Sequence, residues 1–444
     1  MFILQNILEN LKRQFADSPK AQQRSVWFVY TIIAIIIPFT SSKTSNLLRC
    51  LRTLFGFNDI GKKRFYTFMA SPKLPWTRLW HSLWKMIPEP TSDGRLLLAL
   101  DDCINPKTGK EIFGCDRVFD HAAKQNQSKY PWAQNIVVVG LLKIIKGRWA
   151  CLPLSYRFYH LKKSMEKVNQ VIRGPKVEFQ TKIEQAVEMI TEISKVFDQD
   201  RIIAVTDSWF GNDGLWKPLS TLLETRFHII SRLRANNNVF NLPEPRPETG
   251  PGRPRKYGRK IGNASVLANW LKPFAKQYSV NLYGRKRTVV ACDQVVMLKT
   301  LKCAVRVVFI YRRTQWVALY STDLTLCVTK IIEYYGARWK IESAFKELKQ
   351  DIGSAESQTR HPNAVSNHLH FCMMVASVAW IYASRLEKTP SRRHAVSGRN
   401  HFAFSDVRRS VAKAALDKNF RMLCGESRIS LYNSIVTALM RLAA

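Results

Sequence analysis

The chain reads as an α/β protein: a mixed sheet flanked by helices, interrupted by a basic, β-rich insertion, with helical N- and C-terminal regions. Three observations carry that reading. Apolar runs such as LLLALDD (Leu96 to Asp102) and RIIAVTD (Arg201 to Asp207) run straight into carboxylates, the pattern of buried central strands. Stretches of helical period alternate with these runs. Finally, PEPRPETGPGRPRKYGRK (Pro243 to Lys260) is broken by Pro and Gly and fits neither a helix nor a central strand.

Residues 1–90 read as a helical, basic region. VWFVYTIIAIIIPF (Val26 to Phe39) is apolar for about fourteen residues, short of the roughly twenty that a spanning helix needs. It lies behind Lys12, Arg13, Lys20 and Arg24 with no cleavage site after it, so a buried core helix is expected and no membrane. Leu47, Leu48, Leu51 and Leu54 follow at helical spacing, and Arg49, Arg52, Lys62, Lys63 and Arg64 form a basic face.

Residues 91–234 hold the first part of a catalytic core. Strands are expected over Leu96 to Asp102, Asn135 to Ile145, after Trp149, from Arg201 and over Phe227 to Arg234. A helix is expected over Val177 to Val196, with Ile183, Val187 and Ile190 on one face. Residues 235–315 form the basic insertion. Residues 316–386 complete the core, with strands at VVFIYR and WVALYST bridging the junction. Helices follow from Leu326 to beyond Lys349 and from Ala364 to Leu386. Residues 387–444 are a basic linker, with Arg392, Arg393 and Arg399, and a helical tail.

Composition narrows the function. Hydrophobic residues are 46% and charged residues 23% of 444, which excludes a disordered or fibrous chain. Lys plus Arg number 69 against 33 Asp plus Glu, a net charge of +36 that calls for a polyanionic partner. The nine cysteines are scattered without a C-x-x-C pair, which argues against a disulfide scaffold or a structural zinc site and points to a reducing cytoplasmic setting.

Three acids stand out. Asp101 or Asp102 ends the first apolar run, Asp207 ends another, and Glu342 sits on a predicted helix. Carboxylates gathered at a sheet edge repel one another, and a divalent cation removes that cost; hard oxygen ligands suit magnesium. A metal-dependent phosphodiester site follows. In YYGARWKIESAFKELK, ideal winding puts Tyr335, Arg338, Glu342 and Lys349 on one face within roughly 60°. Ile341, Ala344, Phe345 and Leu348 make the adjoining apolar stripe. One acid among a phenol, a guanidinium and an ammonium suits a phosphate track beside a metal ligand.

Tyr335, Arg338, Glu342 and Lys349, at that spacing, resemble the YREK signature of bacterial insertion-sequence transposases with a DDE triad. LYSTDL before the helix and DSWFGN after the strand of the second acid agree, and the resemblance spans roughly Leu96 to Lys349. It implies a ribonuclease H-like core, with Asp101, Asp207 and Glu342 as catalytic residues binding two Mg2+ or Mn2+ ions. Asp101 is preferred as first acid because it directly follows the apolar run, and Asp102 is the alternative. Cys103 stands where relatives usually carry a hydroxyl. Tyr335, Arg338 and Lys349 would hold phosphates of the transposon end, and by the same resemblance the basic helical region 1–90 is a candidate for binding the DNA ends.

The expected reaction is cleavage of transposon ends and joining of 3′-hydroxyl ends to target DNA. The expected partners are double-stranded DNA, as terminal inverted repeats and target, and a second copy of the chain in a homodimer on DNA. A nuclease or resolvase without strand transfer, and a non-catalytic DNA-binding repressor, are the alternatives. In the insertion, Arg253, Arg255 and Lys256 around Pro254 resemble a minor-groove hook, or else form a basic loop touching phosphates. Trp209, Trp270 and Trp316 are expected in the core, and His121 in a loop.

Overall fold

A computed structural model describes residues 3–37, 41–57, 60–121, 123–172, 176–244, 255–394 and 401–416. Five helices come first: α1 (Ile3–Lys12), α2 (Pro19–Ile36), α3 (Thr44–Phe55), α4 (Lys62–Met69) and α5 (Trp76–Lys85). The sheet begins with β1 (Arg95–Pro106), β2 (Cys115–Arg117), β3 (Trp132–Ile145) and β4 (Arg148–Tyr159). Then come α6 (Met165–Val171), α7 (Lys182–Val196), β5 (Arg201–Thr206), α8 (Asp213–Leu223) and β6 (Phe227–Leu233). Within the insertion lie β7 (Asn238–Phe240), β8 (Lys260–Asn263), α9 (Ala264–Leu271), β9 (Lys276–Leu282), β10 (Arg285–Leu298) and β11 (Cys303–Arg312). They are followed by β12 (Gln315–Ser321), α10 (Val328–Arg338), α11 (Lys340–Lys346), α12 (Pro362–Arg385) and α13 (Phe404–Ala415).

β1 pairs antiparallel with β3, and β3 antiparallel with β4. On its other edge β1 runs parallel to β5, and β5 parallel to β6. The order β4-β3-β1-β5-β6, with its change from antiparallel to parallel at β1, is the ribonuclease H-like arrangement. The insertion's strands extend this sheet: β12 pairs with β6, β11 with β12 and β10 with β11, with β9 and β7 both along β10. Twelve strands thus form one mixed sheet among the described residues.

Alternation along the central strands builds two cores. Leu96, Leu98 and Leu100 of β1 and Ile202 and Ala204 of β5 face one side, with α7, α8 and α12. Leu97, Ala99, Ile203 and Val205 face the other, with α10 and α11. All are fully buried, each leucine or isoleucine contributing about 1.5–3 kcal/mol. The local signals agree with the elements. α7 starts at a capping box in which Thr181 and Glu184 satisfy each other's backbone N–H groups.

The expected apolar segment from Val26 is the buried part of α2, and residues 38–40 lie outside the described residues. α12 is 24 residues long and apolar enough to cross a membrane, but 89% of its apolar window is buried inside the protein. It is the post around which the N-terminal helices gather. Asn367 donates to the Met69 and Ser71 carbonyls at 2.9 Å each and accepts the Trp76 indole N–H at 2.7 Å. His368 Nε2 lies 2.8 Å from the Ser42 carbonyl, and Arg408 of α13 donates to the Ile36 carbonyl at 2.8 Å.

Three expectations need correction. The first strand does not end at Asp101 or Asp102: β1 runs on to Pro106 because antiparallel β3 keeps pairing with it after parallel β5 has stopped. The single helix from Leu326 to beyond Lys349 is three pieces, α10, α11 and a π-helical turn over Glu347–Ile352. The break falls at Trp339; Gly336 stays within α10, where a Cβ would sit 2.5 Å from Leu282 Cδ2. Finally, Trp209 and Trp270 are exposed, at 45% and 61%, rather than in the core. Trp316 does pack on the core, edge-on to Phe309. The eight cysteines among the described residues are free. Arg253 and Pro254 of the basic segment, Arg399, and residues 417–444 of the tail lie outside the described residues, while Arg255 and Lys256 are exposed.

Candidate active site

The parallel register of β1 and β5 pairs Leu100 with Thr206. The next residues, Asp101 and Asp207, therefore come side by side where β5 ends. Asp101 continues the row of Leu97 and Ala99, so it faces α10 and α11. Asp102 points to the opposite side, where its carboxylate meets Lys182 Nζ of α7 at 2.8 Å.

Asp207 is fixed by its own loop. Its Oδ1 accepts the backbone N–H groups of Trp209 and Phe210 at 3.0 Å each. The Ser231 hydroxyl donates to its carbonyl at 2.6 Å, and Tyr320 Oη donates to the Gly211 carbonyl at 2.8 Å. Gly211 is required there: a Cβ would sit 2.2 Å from Ser231 Oγ and 2.6 Å from Tyr320 Oη.

Arg338 joins the rest. At 6% exposure it reaches Asp101 Oδ2 at 3.2 Å with Nη1 and Glu342 Oε1 at 3.4 Å with Nη2. Its guanidinium lies over the rings of Tyr335 and Trp339, 5.6 and 5.4 Å from their centroids. Its buried Nε has no acceptor among the described residues. Lys349 reaches the same strand further along, donating to the Ile104 carbonyl at 2.7 Å. The π-helical turn carries it there, so the ideal-helix reasoning that grouped it with Tyr335 does not hold past Lys346.

Charge and burial set the electrostatics. Burial pushes the Asp101 carboxyl up to about 7; Arg338 and the Asp102 backbone N–H oppose the rise, and Asp207 and Asp102 add to it. Glu342 is also raised by burial, against Arg338. The Tyr335 phenol is raised by burial, with Arg338 and Arg232 opposing and Asp207 adding. Cys103, in line with Asp101, is buried, which pushes its thiol up. Among the described residues no three His, Cys, Asp or Glu side chains stand close enough to hold a metal ion. Arg338 lies between Asp101 and Glu342, in ion pairs with both. By chemistry alone, three carboxylates are the hard-oxygen donors that a divalent cation takes, and Asp101 is half-buried and burdened by like charges.

Sequence reasoning missed Lys182, whose signal was its place just after the Thr181 cap, and the Ser231 and Tyr320 hydroxyls that pin the Asp207 loop. His121 sits in a loop, edge-on to Phe119, as expected. Residues 14–278 match the family model described as DDE superfamily endonuclease, and residues 179–378 match the transposase DDE domain. The first match contains Asp101 and Asp207, and the second contains Asp207 and Glu342. No curated protein matches.

Proposed function

We propose that this chain, which belongs to the DDE superfamily endonucleases, is a DNA transposase that cleaves transposon ends and joins their 3′-hydroxyls to target DNA. Asp101, Asp207 and Glu342 are its carboxylate ligands for two Mg2+ or Mn2+ ions. The observation that carries the reading is Arg338: one buried guanidinium ties the first acid to the third, beside the register pair of the first and second. The opposite facing of Asp102, and its ion pair with Lys182, favour Asp101 as first acid.

Bound divalent cations supply charge neutralisation at the attacked phosphate and at its departing oxygen. The protein side chains do the rest. Asp101, Asp207 and Glu342 would hold such cations through their carboxylate oxygens. Arg338, freed from the carboxylates, turns its guanidinium and unpaired Nε toward a phosphate, with Tyr335 beside it. Lys349 holds β1 where it carries the first acid. The +36 charge draws DNA to the surface, and the exposed Arg255 and Lys256 contact its backbone. Cleavage at two ends calls for two such sites, hence a homodimer on DNA, and the reducing cytoplasm is its setting.

The test is Mg2+-dependent nicking of the element's own ends by the purified chain, followed by supply of pre-cut ends with a free 3′-hydroxyl. Nicking and joined product are expected, and both vanish in Asp207→Asn. Nicking without joining would make the protein an endonuclease alone.

A further inference from the structure

Lys182 is the first residue of α7, directly after the Thr181 cap. A cation there opposes the partial positive charge of a helix N-terminus, so its place is not set by what suits the helix. The helix itself is firmly seated: Ala186, Met189, Ile190 and Ile193 are buried against the sheet. The ammonium is therefore carried by a rigid element rather than by a loop.

Its Nζ meets a carboxylate and two rings. Asp102 lies 2.8 Å away, and the centroids of the Tyr159 and Trp209 rings lie 5.2 and 5.7 Å away. The side chains of Lys182 and Asp102 are 18% and 25% exposed, so solvent screens this pair less than one at an open surface. The Trp209 ring also stands edge-on to the buried Phe210 ring, 4.7 Å between centroids.

Two of these contacts lead to the acids. The Asp102 backbone N–H donates to Asp101 Oδ1 at 2.9 Å, and the Trp209 backbone N–H donates to Asp207 Oδ1 at 3.0 Å. Each carboxylate thus accepts from a neighbour whose side chain meets the same ammonium. The ladder between β1 and β5 stops at Leu100 and Thr206, so beyond it sheet hydrogen bonds no longer fix the distance between the two segments. Lys182 spans them at that point.

We propose that Lys182 is a positioning residue: from the opposite face of the sheet it sets the separation of Asp101 and Asp207, acting through Asp102 and Trp209. The proposal rests on the active-site reading above only for what that separation serves, the capture of a divalent cation. Outer partners that orient metal-binding side chains govern affinity for the ion.

The test uses the full chain without DNA and Mn2+ as the probe. Binding is read from the paramagnetic resonance signal of free Mn2+, and backbone hydrogen exchange of the metal-free chain is followed in parallel. Lys182→Met keeps an apolar stem and removes the charge. It is expected to weaken Mn2+ binding about tenfold or more and to speed exchange at Trp209 and Phe210, with exchange inside α7 unaltered. Lys182→Arg, whose guanidinium pairs with carboxylates and stacks on rings, restores most of both losses. Asp102→Ala keeps its backbone N–H on Asp101 and the Lys182 contact with Trp209, so it loses less than Lys182→Met.

Once Asp207→Asn has abolished binding in the otherwise unaltered chain, an unchanged Mn2+ affinity in Lys182→Met overturns the proposal. So does faster exchange throughout α7 that Lys182→Arg fails to reverse, since the lysine would then serve the helix alone. A starting chain that binds no Mn2+, or binds it equally well after Asp207→Asn, sinks the active-site reading instead. Exchange at Trp209 and Phe210 then decides the positioning role by itself: faster in Lys182→Met upholds it, unchanged overturns it.

Discussion

Asp101 and Asp102 are consecutive in the chain and serve opposite faces of the sheet: Asp101 lies 3.2 Å from the Arg338 guanidinium, Asp102 2.8 Å from the Lys182 ammonium. The pleat makes this unavoidable once β1 continues through both. One carboxylate joins the cluster under α10 and α11, while the other ties β1 to the start of α7.

The two acids therefore respond differently to truncation. Asp101→Ala should lower Mg2+-dependent nicking at least about 100-fold, the upper end of what losing even an outer-shell partner of a metal ligand costs. Asp102→Ala should keep nicking within a fewfold and lose no more than about 1 kcal/mol of stability with the Lys182 pair. Parallel nicking assays and urea titrations of the two variants decide it, and the reverse pattern would make Asp102 the first acid.

Removing Arg338 exposes the carboxylates to one another. Arg338→Ala should cost about 2–3 kcal/mol in metal-free buffer, below the roughly 3–5 kcal/mol of a fully buried pair because Asp101 and Glu342 are both partly exposed. Mg2+ should raise the melting temperature of the variant more than that of the unaltered chain, because binding then relieves a larger repulsion. Equal shifts would count against a cation site between these acids.

Gly211→Ala should displace the Asp207 loop, because the new methyl meets Ser231 Oγ and Tyr320 Oη. We expect a loss of about 1–3 kcal/mol and a drop in nicking larger than that instability explains. Adding Ser231→Gly removes one side of the clash and should restore part of the activity. A double variant no better than the single one would show that the loop tolerates the methyl in another way.

Glu347 gives a pH signature away from the acids. It is buried in the π-helical turn with Arg148 3.7 Å away, and Lys340, Asp351 and Trp380 also face it. Burial pushes its carboxyl up to about 8, with Arg148 opposing, against an ordinary 4.5 in the unfolded chain. Between those values the folded protein holds a proton that the unfolded chain releases, so this group makes stability fall as pH rises. Glu347→Gln should flatten the decline, with its melting-temperature advantage growing from about pH 5 to about pH 8. Parallel profiles would place the proton elsewhere.

DNA affinity should fall at least about 100-fold between 50 and 200 mM salt. A flat response would remove the argument from the +36 charge.

Much of this fold was legible because buried central strands leave a strong trace: Leu96 to Leu100 and Ile202 to Val205 are unbroken apolar runs, and the acids after them mark where the parallel pair ends. The helix Ala364 to Leu386 was equally plain from its length and apolarity. What escaped depended on partners distant in sequence. β1 outlasts its apolar run because β3 is there to pair with it. The helix of the third acid breaks at Trp339, a residue with no breaker chemistry, whose ring takes the Arg338 guanidinium. Trp209 read as core, but it is exposed, with Lys182 over its ring and its edge against the buried Phe210. The spacing of Tyr335, Arg338 and Glu342 was visible, whereas the tie from Arg338 back to Asp101 crosses 237 positions.

The wide turn at Glu347–Ile352 amounts to one more residue than ordinary winding would hold. Deleting a single amino acid there would restore regular coiling but swing the following chain by about 100°. Lys349 would then leave the Ile104 carbonyl, and α12, to which the N-terminal helices are moored, would meet them out of phase. A lineage of this protein can therefore change its surface loops in length far more freely than this buried stretch, where a one-codon loss would unseat both ends of the molecule.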